Sequence, residues 1–301
     1  MPITLPPISR RRVLAGSLAA GAGLLAGRSA FAADAAADPN RFALLSDTHV
    51  SGEAGQMARG VDMAANLRQT AAEILKRNRR PAAVLVDGDC AYLQGKADDY
   101  AALVGLLEPL REAGLPIHLA LGNHDHREHF HAALPPRGGE DNLVDRRHIS
   151  VVPSPNATWI QLDSLDATNS TPGRLGRDQL DWLARELDAH ADRPTLVMVH
   201  HQPDERPEPS GLVETKELLD TLLPRKQVKA LFFGHTHDFS IEQREGMQLV
   251  NLPPTAYVFQ EGKPNGWIDM QVTPRGAMLE LRCLDPAHPQ HGKLFELNWR
   301  V

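Results

Sequence analysis

The chain has 301 residues, 42% of them hydrophobic and 23% charged, a formal charge of -6 and two cysteines. That length suits one domain of ordinary enzyme size, and no linker, repeat or low-complexity tract divides it. Two cysteines are too few for a disulfide framework, and an acidic balance argues against a general binder of nucleic acid.

Taken in order, the first segment reads as a targeting signal rather than as part of the fold. Ser9 to Leu14 is S-R-R-R-V-L, an Ala/Gly/Leu stretch runs to Gly27, and Ala30-Phe31-Ala32 is a small-x-small cleavage site. This is the pattern of a twin-arginine export signal over residues 1–32, which leaves a single domain over 33–301. The apolar run falls short of the roughly 20 residues of a bilayer span and is diluted by Gly16, Gly21, Gly23 and Gly27. The expectation is therefore a periplasmic or secreted protein with no membrane anchor in its mature form, whose partner during export is the twin-arginine translocase. Loss of Arg10, Arg11, Arg12 and Arg28 takes the formal charge from -6 to -10.

Strand and helix signals then alternate. A strand is expected at Phe42 to Ser46, a helix at Asp62 to Arg79 with Leu67, Ala71, Ile74 and Leu75 on one face, and a strand at Ala83 to Val86. A second helix spans Asp98 to Ala113, bent or shortened by Pro109, before a strand at Ile117 to Leu121. This alternation predicts a parallel sheet covered by helices. Leu134 to Asp141 reads as a loop, followed by strands at His148 to Val152 and Thr158 to Asp163, a helix at Asp178 to His190 and a strand at Thr195 to Val199. Past Lys229 short strands follow in series at Ala230–Phe233, Phe239–Gln243, Gln248–Leu252, Trp267–Val272 and Met278–Cys283, which suggests a second, more antiparallel sheet. The expected fold is α/β, two sheets packed face to face with helices outside.

Five of the apolar runs end in chemistry: FALLSDTH to His49, VLVDGD to Asp89, LALGNHD to Asp125, TLVMVHH to His201 and LFFGHTH to His237. Asp47 and His49 are two apart, as are His235 and His237, so each pair leaves an extended strand on one face and can grip one cation. A lone D-x-H is more often accidental, but two imidazoles at a strand end are hard to explain as core, because they would carry a desolvation cost without a ligand. Asp89 follows Gly88 where its strand ends and is the natural carboxylate to bridge two metals; Asp87 is the alternative in V-D-G-D. Cys90 beside it is expected as a buried free thiol.

In this order, D-x-H, G-D, G-N-H-D, H-H-x-P and G-H-x-H resemble the calcineurin-like metallophosphoesterases, over about Phe42 to Leu252. The resemblance implies a four-layer αββα double β-sandwich with the metals at the C-terminal ends of the strands. It implies one metal on Asp47, His49, Asp89 and His237, and a second on Asp89, Asn123, His200 and His235, with His201 as the rival of His200. His124 would assist catalysis and Asp125 would orient it. The cofactors implied are two divalent or transition-metal ions, and imidazole-rich coordination favours Fe, Zn, Mn or Co over calcium. Attack of a metal-bound hydroxide on a small phosphodiester, with phosphomonoesters as further substrates, is the expected chemistry. Within the family, D-x-H with G-N-H-D is most similar to the branch of cyclic-nucleotide and glycerophosphodiester phosphodiesterases. Gly88 to Tyr92 matches the G-D-x-x-Y of purple acid phosphatases, which makes a phosphomonoesterase the alternative. His49 stands where those enzymes have glycine, so Tyr92 is read not as a ligand but as a residue that supports the ligands from behind or faces substrate. A non-catalytic metal-binding protein of the same fold is the alternative of another class, although no ligand is missing. The acidic mature surface argues against extended nucleic acid as substrate.

Overall fold

A computed structural model describes residues 4–5, 37–134 and 143–301. The expected cleavage site, the apolar stretch before it and residues 135–141 of the Leu134–Asp141 loop lie outside the described residues. Among the described residues, no helix is long and apolar enough to cross a membrane.

Two large sheets carry the fold. The first runs, edge to edge, Thr4–Leu5, Ile117–Leu119, Pro81–Val86, Asp38–Leu45, Gly266–Thr273, Gly276–Cys283 and Leu294–Asn298. The second runs Ser240–Arg244, Met247–Asn251, Val228–Phe233, Thr195–Val199, Thr158–Leu162 and Ser150–Pro153. Each has a parallel block flanked by antiparallel strands: Asp38–Leu45, Pro81–Val86 and Ile117–Leu119 in the first, and Thr158–Leu162 through Met247–Asn251 in the second.

Period-two alternation sorts the side chains into three apolar layers. Phe42, Leu44, Ala83 and Leu85 meet Trp159, Leu196, Met198, Ala230 and Phe232 between the sheets. Ala43, Leu45, Val84 and Val86 point the other way, against helices Met63–Lys76 and Ala97–Glu112. Ile160, Leu162, Val197, Val199 and Leu231 pack outward against Arg177–Ala189 and Thr215–Leu222. Helix, sheet, sheet, helix is the expected layering.

The strands past Lys229, expected together in a second, more antiparallel sheet, divide between the two sheets instead. The strands up to Asn251 complete the second sheet, but Gly266–Thr273 returns to pair antiparallel with Asp38–Leu45. The reason is that a buried strand cannot leave one edge unpaired, since each free N–H and C=O there would lack a partner. Pro109 does not shorten its helix either, which runs unbroken over Ala97–Glu112. Pro109 and Gly105, whose carbonyl loses its donor, both lie on the exposed side, where water replaces that bond. Cys90 and Cys283 are buried free thiols.

Candidate metal centre

Because Asp38–Leu45, Pro81–Val86 and Ile117–Leu119 are parallel, the segments that follow them leave the sheet at one end. Thr195–Val199 and Val228–Phe233 do the same in the second sheet. The exits are tied together: Asp47 N–H donates to the Gly88 carbonyl at 3.2 Å, His49 N–H to that of Asp89 at 2.9 Å and Gly234 N–H to that of His200 at 3.0 Å. Across the two sheets, His235 N–H donates to Asp47 Oδ2 at 3.2 Å.

The exits turn sharply. Asp47, His49, Asp89, His235 and His237 all hold φ between 44° and 66°, the left-handed region that non-glycine residues avoid. Strain of this kind persists only where surrounding bonds over-determine the backbone, and it collects at functional sites. Gly122 is required by close approach, since a side chain there would strike the Asp89 carboxylate.

The turns bring the expected ligands together. Ligand atoms of Asp47, His49 and His237 lie within 4.8 Å of one another, as do those of Asp89, His200 and His235. His49 and His237 face each other with Nε2 atoms 3.0 Å apart. Asp89 Oδ2 stands between the groups, 3.7 Å from His49 Nε2 and 3.3 Å from His200 Nε2. Asp47 Oδ1 is 3.3 Å from His237 Nε2 and 4.0 Å from His200 Nε2. His201 turns away and pairs through Nδ1 with Ser164 Oγ at 2.7 Å.

Carbonyl partners fix the imidazole protons, because a carbonyl only accepts. His237 Nδ1 donates to the Tyr257 carbonyl at 2.6 Å and His200 Nδ1 to that of Asp87 at 3.0 Å, so Nε2 of each faces the site, with a lone pair for a ligand whenever the ring is neutral and a proton for the carboxylates whenever it is charged. His235 donates through Nε2 to the Ser210 carbonyl at 3.2 Å, which frees its Nδ1. Burial pushes Asp47 up, but His237, His49 and His200 hold its carboxyl well below the usual range. Burial likewise opposes ionisation of Asp89, and His200 overcomes it. Burial pushes Asp87 well above the carboxylate range; His200 opposes this, but the nearby Asp47 and Asp89 add to it.

These residues fit metal ions. Asp47 Oδ1, Asn123 Oδ1 and His200 Nε2 are buried without a hydrogen-bond partner, a cost that native interiors rarely carry and that a cation among them removes. Carboxylate, amide and imidazole donors suit a first-row transition metal.

Comparison with known proteins agrees. The family model "Calcineurin-like phosphoesterase" matches residues 40–239. A 3',5'-cyclic adenosine monophosphate phosphodiesterase of Pseudomonas aeruginosa is 31% identical over 229 residues, covering 75% of this chain and 79% of that protein. The chain belongs to the calcineurin-like phosphoesterases. A glycerophosphodiester phosphodiesterase of Enterobacter lignolyticus is 24% identical, over 72% of this chain and 77% of that one. Among solved structures, a dimetal phosphatase from Danio rerio superposes with a TM-score of 0.66 at 16% identity, over 87% of this chain and all of that one, which bears on the fold alone. As a calcineurin-like phosphoesterase this chain is a metal-dependent phosphoester hydrolase.

One contact in the phosphoesterase differs from expectation. Asp125 does not touch His124. Its carboxylate accepts from the backbone N–H of Cys90, Ala91 and Gly122 and from the Tyr100 hydroxyl, so it pins the loops that carry Asp89 and Asn123. His124 is held instead by its own N–H on Asp89 Oδ1 at 2.8 Å and by Nδ1 on the Leu93 carbonyl at 3.0 Å. A ring nitrogen of His124 lies within 4.8 Å of the ligand atoms of His49 and Asp89. Sequence reasoning missed the rings of Tyr257 and Phe259, which stack on His49 and His237. They lie in a loop where no motif marks them.

Proposed function

We propose that this phosphoesterase hydrolyses small phosphodiesters with two metal ions, one on Asp47, His49, Asp89 and His237 and the other on Asp89, Asn123, His200 and His235. The placing of Asp89 Oδ2 between the Nε2 atoms of His49 and His200 carries this reading, since one carboxylate there serves both groups. The named activities of the Pseudomonas and Enterobacter relatives favour a diester. When bound, such ions supply Lewis-acid charge for the phosphoryl oxygens and make a water more acidic.

The chain's own residues do the rest. Asp125, with four donors on its carboxylate, keeps the Asp89 and Gly122 loops in register. His124 donates through Nδ1 to the Leu93 carbonyl, so Nε2 is the nitrogen left to exchange a proton at the site. Protonated there, it donates to the departing ester oxygen as charge grows on it. Ser9 to Leu14 and Ala30-Phe31-Ala32 support export by the twin-arginine translocase to the periplasm or beyond, to be checked by fractionating cells with and without that translocase.

The test is a panel of chromogenic mono- and diesters with purified protein, before and after chelation, with metal analysis alongside. Close to two transition-metal ions per chain and faster turnover of diesters are expected. A fully active preparation with no metal, or with calcium alone, overturns the assignment.

A further inference from the structure

Beside the metal centre stands a charged group that the proposed chemistry does not use. The His237 imidazole stacks on Phe259 with centroids 4.0 Å apart and planes at 12°. The Arg59 guanidinium lies over the same phenyl ring at 4.7 Å and over Tyr257 at 5.8 Å. Tyr257 in turn stacks on His49 at 5.1 Å. Arg59 is thus one aromatic ring removed from two of the histidines, while Phe259 remains 53% exposed.

A guanidinium resting on a ring uses its face and keeps its in-plane N–H fork, the part that pairs bidentately with carboxylate or phosphate. Among the described residues, nothing takes that fork: the two ring contacts are the only interactions Arg59 makes. The backbone adds an independent observation. Arg59 and Gly60, with φ of 49° and 82°, form the two-residue turn between the paired strands Met57–Ala58 and Val61–Asp62. Such a turn needs positive φ at both positions, where Asn, Asp or Gly is usual and a bulky residue is strained. The hairpin is anchored, because the Asp62 carboxylate caps the next helix through Ala65 N–H at 2.9 Å. A long cation is therefore held at an unfavourable backbone position beside the site with its fork free.

We propose, on the basis of the phosphodiesterase reading above, that Arg59 selects esters carrying a second anionic group, a carboxylate or a further phosphate, on the organic arm beyond the reacting phosphate. One ring of separation places the fork past the ligand set, where it meets the arm of the ester rather than the phosphorus. An arm without charge leaves the fork in water and gains nothing.

The test uses the metal-loaded full chain and three nitrophenyl probes that share a leaving group: ethyl 4-nitrophenyl phosphate, 2-carboxyethyl 4-nitrophenyl phosphate and 4-nitrophenyl phosphate. The parent protein should favour the carboxyethyl over the ethyl diester by about tenfold or more in kcat/KM, through KM, as for a charge-assisted pair. In Arg59→Ala that ratio should fall to within about twofold of unity with metal content unchanged, and Arg59→Lys should recover part of it, having charge without the fork. A parent ratio near one, or an Arg59→Ala loss equal on both diesters, overturns the proposal. An Arg59 effect confined to the monoester also overturns it, since the second charge then sits on the reacting phosphorus. Hydrolysis of none of the probes with any metal would sink the phosphodiesterase reading itself, whereas hydrolysis of all with no effect of Arg59 defeats this inference alone.

Discussion

Two clusters of charge in this molecule, one half-buried around Asp269 and one fully buried, are built on opposite terms. In one, Asp269 receives Arg41 at 2.6 Å and Arg77 at 2.7 Å, Glu280 receives Arg77 and Arg282, and Glu73 receives Arg282 and the Trp267 indole N–H. Three acids face three arginines, and the set closes on itself. In the metal centre, imidazoles are the only basic side chains that Asp47 and Asp89 meet, and buried lone pairs on Asp47, Asn123 and His200 are left without donors. The first group carries its own counter-charge; the second requires it from outside. What separates a structural cluster from a functional one here is not the number of charges but whether the chain has satisfied them.

The sharpest way to break that contrast is to remove the shared carboxylate. Asp89→Asn should abolish hydrolysis and lower the content of both metals, a loss greater than the roughly 10- to 100-fold in affinity that an outer partner contributes. Asp87→Asn should leave metal content nearly intact, because neither Asp87 oxygen has a partner to lose. Metal analysis of the two variants decides it, and the reverse result would make Asp87 the shared ligand. Next in size is His124→Ala, which should keep both metals, lose about 10²- to 10⁴-fold in rate on esters with poor leaving groups and lose much less on nitrophenyl esters. Equal losses on both kinds of ester would assign His124 to positioning, and loss of metal would make it a ligand.

The contrast also marks how far the sequence could be read. Polar residues at the ends of apolar runs located the site, because a strand end is where a side chain can reach an open edge without burying its neighbours. Asp89 was distinguishable from Asp87 only by the glycine before it and the end of the strand. The left-handed turns at Asp47, His49, His235 and His237 were not legible, since no glycine announces them and long-range hydrogen bonds impose them. Adjacency in sequence pairs Asp125 with His124, yet consecutive side chains leaving a strand point apart, and the partners of Asp125 come from residues 90, 91, 100 and 122. The return of Gly266–Thr273 to the first sheet depends on which edge is open, and alternation is silent on that. The helix Thr215–Leu222 and the strand Leu294–Asn298 were missed because each is too short for its period to stand out.

A third prediction works on the satisfied cluster. The Asp269 side chain is 2% exposed and holds two arginines, so Asp269→Asn leaves both without their carboxylate. The variant should lose about 3 kcal/mol of unfolding free energy in urea. Its metal content and kcat/KM should stay within about twofold of the parent, since such small changes are what distant, unshared sites produce. A fall in metal content comparable to that of Asp89→Asn would show that the two clusters are coupled.

The smallest expected effect tests whether an unsatisfied atom always signals a ligand. His148 is buried and donates through Nε2 to the Leu119 carbonyl at 2.8 Å, while its Nδ1 has no partner. Here the orphan is tolerable, because neutral imidazole keeps a lone pair at Nδ1; charging the ring would place a proton there with nothing to accept it. Burial accordingly pushes His148 down to about 4, opposed in part by Asp163. The sign follows from linkage: with the folded pKa below the unfolded value of about 6.5, the stabilising contribution is complete above pH 6.5 and is lost as pH falls toward 4. Over that window the difference amounts to roughly 3 kcal/mol at most. His148→Gln keeps an N–H donor for the carbonyl and cannot take the second proton, so its stability should fall less steeply with acid than that of the parent. Urea titrations of both proteins at pH 7.5, 5.5 and 4.5, in chelator so that metal release adds nothing, measure this directly. Parallel pH profiles would place the acid sensitivity elsewhere and leave Nδ1 of His148 without an explanation by charge.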